Sequence, residues 1–326
     1  MELPAALAAA LERELRGVAR GGLAERALAV STAYRGGGGS APVIRDRQSA
    51  LAYALTRAPA TFAACARVMS ELERVAPGFG PASLLDAGSG SGSASWAAAE
   101  AFPRLSQVTW AEANGPLLDL AIRLAAEARG ALSSAKVLRG DLATAELPPA
   151  DLVMASYVLA EIAAPRQATL VRALWAATRG VLALVEPGVP DGYARLLAAR
   201  DGLIAGGATI LAPCPHQAVC PLAPPDWCHF SVRLPRSRDH RLAKRAEASF
   251  EDEKFAYLLA ARPQVAAIAP MPRILARPRE TKPGLEFKLC TVGGLEHRFV
   301  PRREKLAHAA VRRLGWGDTL AGSAGP

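Results

Sequence analysis

The sequence predicts an α/β protein built on a doubly wound, mostly parallel, Rossmann-like sheet. Helices precede the sheet, and a cysteine-rich, basic insertion interrupts it late. Three observations predict this. From residue 83 onward, short apolar segments alternate with helical patterns at the spacing of repeated strand–helix units. The first strand runs into a glycine-rich turn, "LLDAGSGSGSASW". Acids stand at Asp86, Glu112 and Asp141, at the ends of three strands, where an open sheet of this kind places its ligand groups.

Taken in order, residues 1–80 read as a helical region. "PAALAAALERELRGVA" and "RDRQSALAYALTRAPATFAACARVMSELERVA" carry helical apolar periodicity, and "YRGGGGSAPVIRDR" between them reads as a flexible break. Residues 81–210 form the predicted core. Its strands are "SLLDAG", "SQVTWAEAN", "AKVLRGDL", "ADLVMASYVLAEI" and "GVLALVEPG", the last almost wholly apolar, as a buried parallel strand should be. "ATILAPCPH" begins a sixth strand. Residues 211–289 form the predicted insertion, with "ASFEDEKFAYLLAA" as a helix or turn inside it. Residues 290–326 are expected to supply the last strand of the sheet, with a hairpin turn at Gly293–Gly294, and a final helix, "EKLAHAAVRRLGWGD".

Composition narrows the function classes. The 326 residues are 51% hydrophobic and 21% charged, a globular balance. No apolar run approaches the ~18 residues of a membrane span, and the amphipathic N-terminus resembles neither a signal nor a transit peptide. A cytoplasmic chain, monomeric when free, is the expectation. Net charge is +9. Residues 227–313 hold 19 Lys and Arg against 9 Asp and Glu, and the rest of the chain is nearly balanced, with 20 against 21. A surplus confined to one block points to a polyanionic partner.

The glycines Gly88, Gly90 and Gly92 stand at alternate positions after a strand. They allow a tight turn and close approach of a ligand to the next helix N-terminus. Their spacing does not meet the pyrophosphate fingerprint G-x-G-x-x-G. Asp86 ahead of the glycines favours S-adenosylmethionine, where an acid orients the loop or reaches the methionine amino group. Glu112 is placed to accept both ribose hydroxyls and Asp141 to meet the adenine amino group. Ser89 within the loop and Ser156 at the end of the fourth strand complete the candidate cofactor-binding set, and Ser156, Tyr157 and Glu161 are expected to line the pocket.

Five cysteines are an odd number for a disulfide framework. Four of them, Cys214, Cys220, Cys228 and Cys290, are spaced C-x5-C-x7-C-x61-C. Knuckles of C-x2–4-C, usual for structural zinc, are missing. Cys-Pro pairs at 214–215 and 220–221 also occur at iron–sulfur ligands. His216, His229 and His240 keep a mixed Cys/His zinc site open. The spacing therefore points to a metal and leaves zinc and iron–sulfur both standing.

Several strings together, "LLDAGSGSGSASWA", "LVEPGVPDGY", "ILAPCPHQAVCPL", "DWCHFSVRLPRSRDHRLAKRA", "FEDEKF" and "GWGD", resemble the methyltransferase-like family of small-ribosomal-subunit assembly factors, known from mitochondria and bacteria. The resemblance spans about residues 40–318. It implies a class I S-adenosylmethionine-dependent methyltransferase fold and a [4Fe–4S] cluster on Cys214, Cys220, Cys228 and Cys290. It also implies the small-subunit rRNA as partner. Arg233, Arg236, Arg238, Arg241, Lys244 and Arg245 are the first candidates for phosphate contact. Arg273, Arg277, Arg279, Lys282, Arg302 and Arg303 follow, with Trp227, Phe230 and Trp316 as possible stacking residues. The expected activity is methyl transfer from S-adenosylmethionine to rRNA. The alternatives are a non-catalytic assembly factor that binds the cofactor, the cluster and rRNA, and a small-molecule methyltransferase. The segment "ASYVLAEI" carries neither an Asn-Pro-Pro-Tyr motif nor a cysteine nucleophile, so no catalytic residue is nominated.

Overall fold

The computed structural model describes residues 1–35, 39–40, 42–142 and 144–320. Three helices come first: α1 (Ala5–Glu14), α2 (Arg20–Arg35) and α3 (Arg47–Val75). The start of α3 is set by a capping box. The Asp46 carboxylate accepts from the Ser49 backbone N–H at 2.7 Å, and the Ser49 hydroxyl accepts from the Asp46 N–H at 3.1 Å. The face of α3 bearing Phe62, Cys65, Val68, Met69 and Leu72 is buried in the core on one side of the sheet. Part of the expected break between the helices, residues 36–38 and 41, lies outside the described residues.

The strand–helix units then follow as β1 (Ser83–Ala87), α4 (Ser93–Ala101), β2 (Gln107–Glu112), α5 (Gly115–Ala125), β3 (Lys136–Arg139), β4 (Ala150–Ser156), α6 (Ala164–Ala177), β5 (Thr178–Pro187), α7 (Pro190–Ala205) and β6 (Thr209–Ala212). Beyond them lie β7 (Phe230–Pro235), α8 (Arg238–Lys244), β8 (Phe250–Ala261), β9 (Arg273–Ile274), β10 (Arg279–Glu280), β11 (Gly284–Thr291), β12 (Gly294–Pro301) and α9 (Lys305–Val311).

The main sheet has the order β3-β2-β1-β4-β5-β8-β6. Strands β1 to β5 pair in parallel, and β8 pairs antiparallel with both β5 and β6. Leu84, Met154, Val181 and Val185 turn to the core shared with α3, α4 and α5. Leu85, Val153, Leu182 and Leu184 turn to the opposite core, shared with α6 and α7. Two-sided burial explains why these strands read as continuous apolar runs.

The place of the last strand needs correcting. Residues from 290 onward do not close the main sheet. The closing strand is β8, the stretch expected to be a helix or turn. Its second half, "FAYLLAA", pairs with β5 on one edge and is buried on both faces, so it lacks strand alternation and is rich in helix formers. Its first half pairs with β7. The insertion between the last two strands of the sheet therefore spans residues 213–249. Strands β9 to β12 form a second, four-stranded antiparallel sheet with its own core of Ile274, Leu285, Phe287, Leu289, Val300 and Leu320.

Candidate functional site

The strand order reverses beside β1 and β4, and ligands of open α/β sheets bind at the carboxyl ends of strands at such a point. The glycine loop sits there. Gly88, Gly90 and Gly92 have φ of 75°, 53° and 82°, the left-handed region that glycine enters without strain. A Cβ at Gly88 would lie 2.3 Å from Cγ2 of Val158. The turn is closed by Gly88 N–H to Ala111 O at 2.7 Å and Gly92 N–H to Ser89 O at 2.7 Å.

Asp86 is fully buried beneath this loop. Its Oδ2 accepts from the Ser95 N–H at 3.1 Å and the Ser95 hydroxyl at 2.6 Å, while Oδ1 has no partner. Burial pushes its carboxyl up to about 6. Ser89 is buried with its hydroxyl unpartnered. Two orphaned polar atoms beside three left-handed glycines are the chemistry of a cradle for a polar ligand.

Glu112 is buried and holds the loop from the side. Its Oε2 accepts from Gly90 N–H at 2.8 Å and its Oε1 from Asn114 N–H at 2.7 Å. Burial raises its carboxyl above the ordinary range. Asp141 lies further out, in an exposed pair with Arg166 at 3.2 Å. The next residue, Leu142, lies against Gly88, with Cδ1 3.5 Å from the place of a Cβ there. Ser156 ends β4 with its hydroxyl 3.3 Å from the thiol of Cys65 on α3. The ends of β1, β2 and β4 and the turn after β3 thus meet around one loop. The region before α3 also reaches this end of the sheet. Ser40 donates from N and Oγ to Glu161 at 2.9 and 2.8 Å, and Asn114 Nδ2 donates to Ile44 O at 3.0 Å.

Sequence reasoning missed a polar cluster directly after β4. Tyr157 is a non-glycine residue with φ of 64°, a conformation that costs of order 1 kcal/mol and is often kept at functional sites. Its hydroxyl donates to Glu253 of β8 at 3.0 Å, and Arg57 of α3 pairs with the same carboxylate at 3.0 Å. The residues come from three distant segments, so no spacing rule could have joined them.

The four cysteines also meet. Cys214, Cys220, Cys228 and Cys290 line one pocket, walled by α7 and β8. Among the described residues, no three Cys, His, Asp or Glu side chains come together as a site for a single metal ion. Burial raises the Cys214 and Cys228 thiols and pushes Cys290 up to about 12. Any metal taken up must therefore displace their protons. Tyr193 donates to the Cys220 sulfur at 3.2 Å, and His216 Nε2 lies 3.5 Å from the Cys290 sulfur. His229 does not join this cavity. It stacks on Trp227 and meets Trp316 edge-on. His240 is buried against α8's partner Glu251, 3.5 Å away.

Two buried arginines accompany the cysteines. Arg200 donates to the carbonyls of His216 and Ala218 at 3.0 and 2.7 Å. Arg273 donates to Gly317 O at 2.7 Å and is ion-paired with Glu71 of α3. Both act electrostatically to lower the pKa of Cys214 and Cys290. Arg273 was a candidate for phosphate contact, and its 3% exposure removes it from that role.

The other basic candidates separate in the same way. Arg233 pairs with Asp252 at 2.7 Å and lies over the Phe250 ring. Arg236 and Lys244 share Glu251 at 3.1 and 2.6 Å. Arg241 has a buried Nε, while Arg238 and Arg245 are exposed. Arg279 pairs with Glu286 and Arg302 with Glu280. Phe230 is core, and the Trp227 ring stacks on His229 while its N–H donates to Gly188 O.

A parallel five-strand sheet in the order 3-2-1-4-5, completed by an antiparallel strand inserted between β5 and β6 and carrying a glycine loop after β1, is the class I S-adenosylmethionine-dependent methyltransferase fold. Within that class, the chain belongs to the family described as mitochondrial small ribosomal subunit Rsm22, which it matches over residues 47–321. It is 29% identical over 292 residues to the human ribosome assembly protein METTL17, mitochondrial, covering 83% of this chain. The match spans 62% of that relative's length. Among solved structures, it is similar to the magnesium protoporphyrin IX methyltransferase ChlM of Synechocystis with bound SAH. That match has 18% identity, covers 62% of this chain and 83% of that one, and has a TM-score of 0.41. It is also similar to an O-methyltransferase family 2 protein of Planctomyces limnophilus in complex with apigenin. Here identity is 18%, coverage is 66% and 61%, and the TM-score is 0.44. Among the described residues, no helix is long and apolar enough to cross a membrane.

Proposed function

We propose that the protein is an assembly factor of the small ribosomal subunit that binds S-adenosylmethionine at the glycine loop and acts on rRNA. The observation that carries the cofactor reading is the pair of orphaned buried atoms, Asp86 Oδ1 and Ser89 Oγ, beside Gly88, Gly90 and Gly92. Asp86 would receive the ligand's ammonium group. Glu112 would exchange its contact with the loop for the ribose hydroxyls. Methyl transfer to an rRNA base needs little side-chain chemistry, because a positioned nucleophile attacks the sulfonium methyl directly and orientation supplies most of the rate.

A specific observation favours a second reading, in which the fold binds cofactor and RNA without transfer. The Tyr157 hydroxyl, the polar group nearest the β4 end after Ser156, is committed to Glu253, which Arg57 neutralises. That cluster leaves little there to accept a proton. Incubation of the metal-loaded protein with labelled S-adenosylmethionine and immature small-subunit particles decides between the two. Label in rRNA supports transfer. Cofactor and RNA binding with no label supports the second reading.

The four cysteines are assigned to a [4Fe–4S] cluster. Their side chains line one pocket, and their spacing lacks the C-x2–4-C knuckles usual for structural zinc. Arg200 and Arg273 would offset the negative charge of four thiolates, and Tyr193 would hydrogen-bond a ligand sulfur. When bound, the cluster would tie the insertion, which carries Cys214, Cys220 and Cys228, to β11, which carries Cys290. Iron and sulfide analysis of anaerobically purified protein tests the assignment.

A further inference from the structure

We infer that the second sheet and α9 form a single-stranded RNA-binding surface, while half of the cations around α8 are engaged in internal pairs. The inference rests on the RNA partner proposed above and names the face that meets it. Around α8, Arg233, Arg236 and Lys244 pair with the acids of β8. Arg238, Arg241 and Arg245 have no salt-bridge partner among the described residues but lack an exposed apolar strand face like that of β12. In residues 282–313, Lys282, Arg303, Lys305, Arg312 and Arg313 are all exposed, and none has a salt-bridge partner among the described residues. They belong to one neighbourhood. Gly284 pairs with Pro301, and Arg302 N–H bonds Pro283 O at 2.7 Å, which brings Lys282 beside Arg302 and Arg303. α9 then carries the chain over ~10 Å to Arg312 and Arg313.

The intramolecular structure does not account for this surface. α9 has no buried residue, and its Leu306 is 90% exposed. The outward face of β12 presents Leu295, His297 and Phe299 at alternate positions, about 7 Å apart. Leu295 is 42% exposed. Phe299, whose ring rests over Gly284, is still 45% exposed. An aromatic ring and an imidazole on a strand face, edged by free guanidinium groups, suit stacked bases with phosphates alongside. A duplex would engage the cations but leave that face unused. An anionic membrane would also engage the cations, but α9 is only seven residues long and Leu295 and Phe299 lie on a strand face, so there is no long amphipathic helix to insert.

The test is fluorescence anisotropy of a single-stranded RNA oligonucleotide with the full-length protein across a salt series. The quadruple variant Arg303→Ala/Lys305→Ala/Arg312→Ala/Arg313→Ala should flatten the slope of log affinity against log salt by ~3, at ~0.7 per neutralised charge. Phe299→Ala should weaken binding about tenfold or more. Arg303→Lys/Arg312→Lys/Arg313→Lys should keep the slope, which separates charge from folding. Arg104→Ala/Arg129→Ala, far from this lobe, should leave it unchanged. If the wild type binds and the quadruple variant keeps its slope, this surface is wrong and the RNA reading survives. If the wild type shows no salt-dependent affinity for RNA, both fall. Binding to phosphatidylserine vesicles that the quadruple variant loses, with RNA affinity intact, would also overturn the inference.

Discussion

Asp86→Asn should stabilise the ligand-free protein at neutral pH while weakening cofactor binding. Asp86 is fully buried, half of its carboxylate has no partner, and burial raises its pKa from the ordinary 3.8 to about 6. Between those values the folded state binds the proton that the unfolded state has released. Stability therefore falls as pH rises through that window. Above pH ~6 the ionised Asp86 costs about 3 kcal/mol relative to a neutral group. Asparagine keeps the acceptor for both Ser95 donors but leaves a buried amide N–H unpaired, which offsets ~1–2 kcal/mol of the gain. That offset does not depend on pH. The difference between variant and wild type should accordingly grow by ~2 kcal/mol from pH ~4.5 to pH ~7.5. Urea unfolding at the two pH values measures it. Titration calorimetry with S-adenosylmethionine should show ~10- to 100-fold weaker binding, the loss of a charged hydrogen bond. An equal stability difference at both pH values would refute the burial argument. Unchanged cofactor affinity would refute the role given to Asp86.

Gly88→Ala forces a side chain into a left-handed position and against Val158. It should cost ~2–4 kcal/mol of stability by thermal or urea unfolding and abolish cofactor binding. Glu71→Gln leaves Arg273 buried without its counter-charge beside the cysteine cavity, and unfolding should show a loss of ~3–5 kcal/mol. The Glu71 carboxyl is held below its ordinary 4.5 chiefly by Arg74 and Arg273 against the cost of burial, so its contribution should disappear as pH falls below that value. Cys220→Ser should lower bound iron and expose residues 210–300 to hydrogen exchange, with the glycine loop still protected. Equal loss of protection along the whole chain would contradict the brace assigned to the cluster.

The parallel half of the sheet was legible because its strands are apolar, short and punctuated, and its glycine loop sits where the first strand must turn. Cys214, Cys220, Cys228 and Cys290 line one pocket, and spacing and resemblance group the same four residues as metal ligands, a role that metal analysis tests. Strand β8 was not legible. "FAYLLAA" has no period-two alternation when both faces are buried, and alanine and leucine favour a helix in isolation. The basic block was legible only as a sum. Sequence cannot tell Arg233, paired with Asp252, from Arg303, which has no salt-bridge partner among the described residues, because the acid that meets Arg233 arrives from the next strand. Arg273 looked like another surface cation, yet it is buried with Glu71 from α3, 202 residues away. The Arg57–Tyr157–Glu253 cluster likewise needs three segments brought together by folding.

The most direct test of the account is the metal content of the four-cysteine cavity. Anaerobic purification with iron, sulfide and zinc analysis and a visible absorption spectrum should give about four irons and four sulfides per chain, falling in Cys220→Ser and Cys290→Ser. One zinc and no sulfide would contradict the cluster. It would leave the methyltransferase fold standing with a zinc module in its insertion.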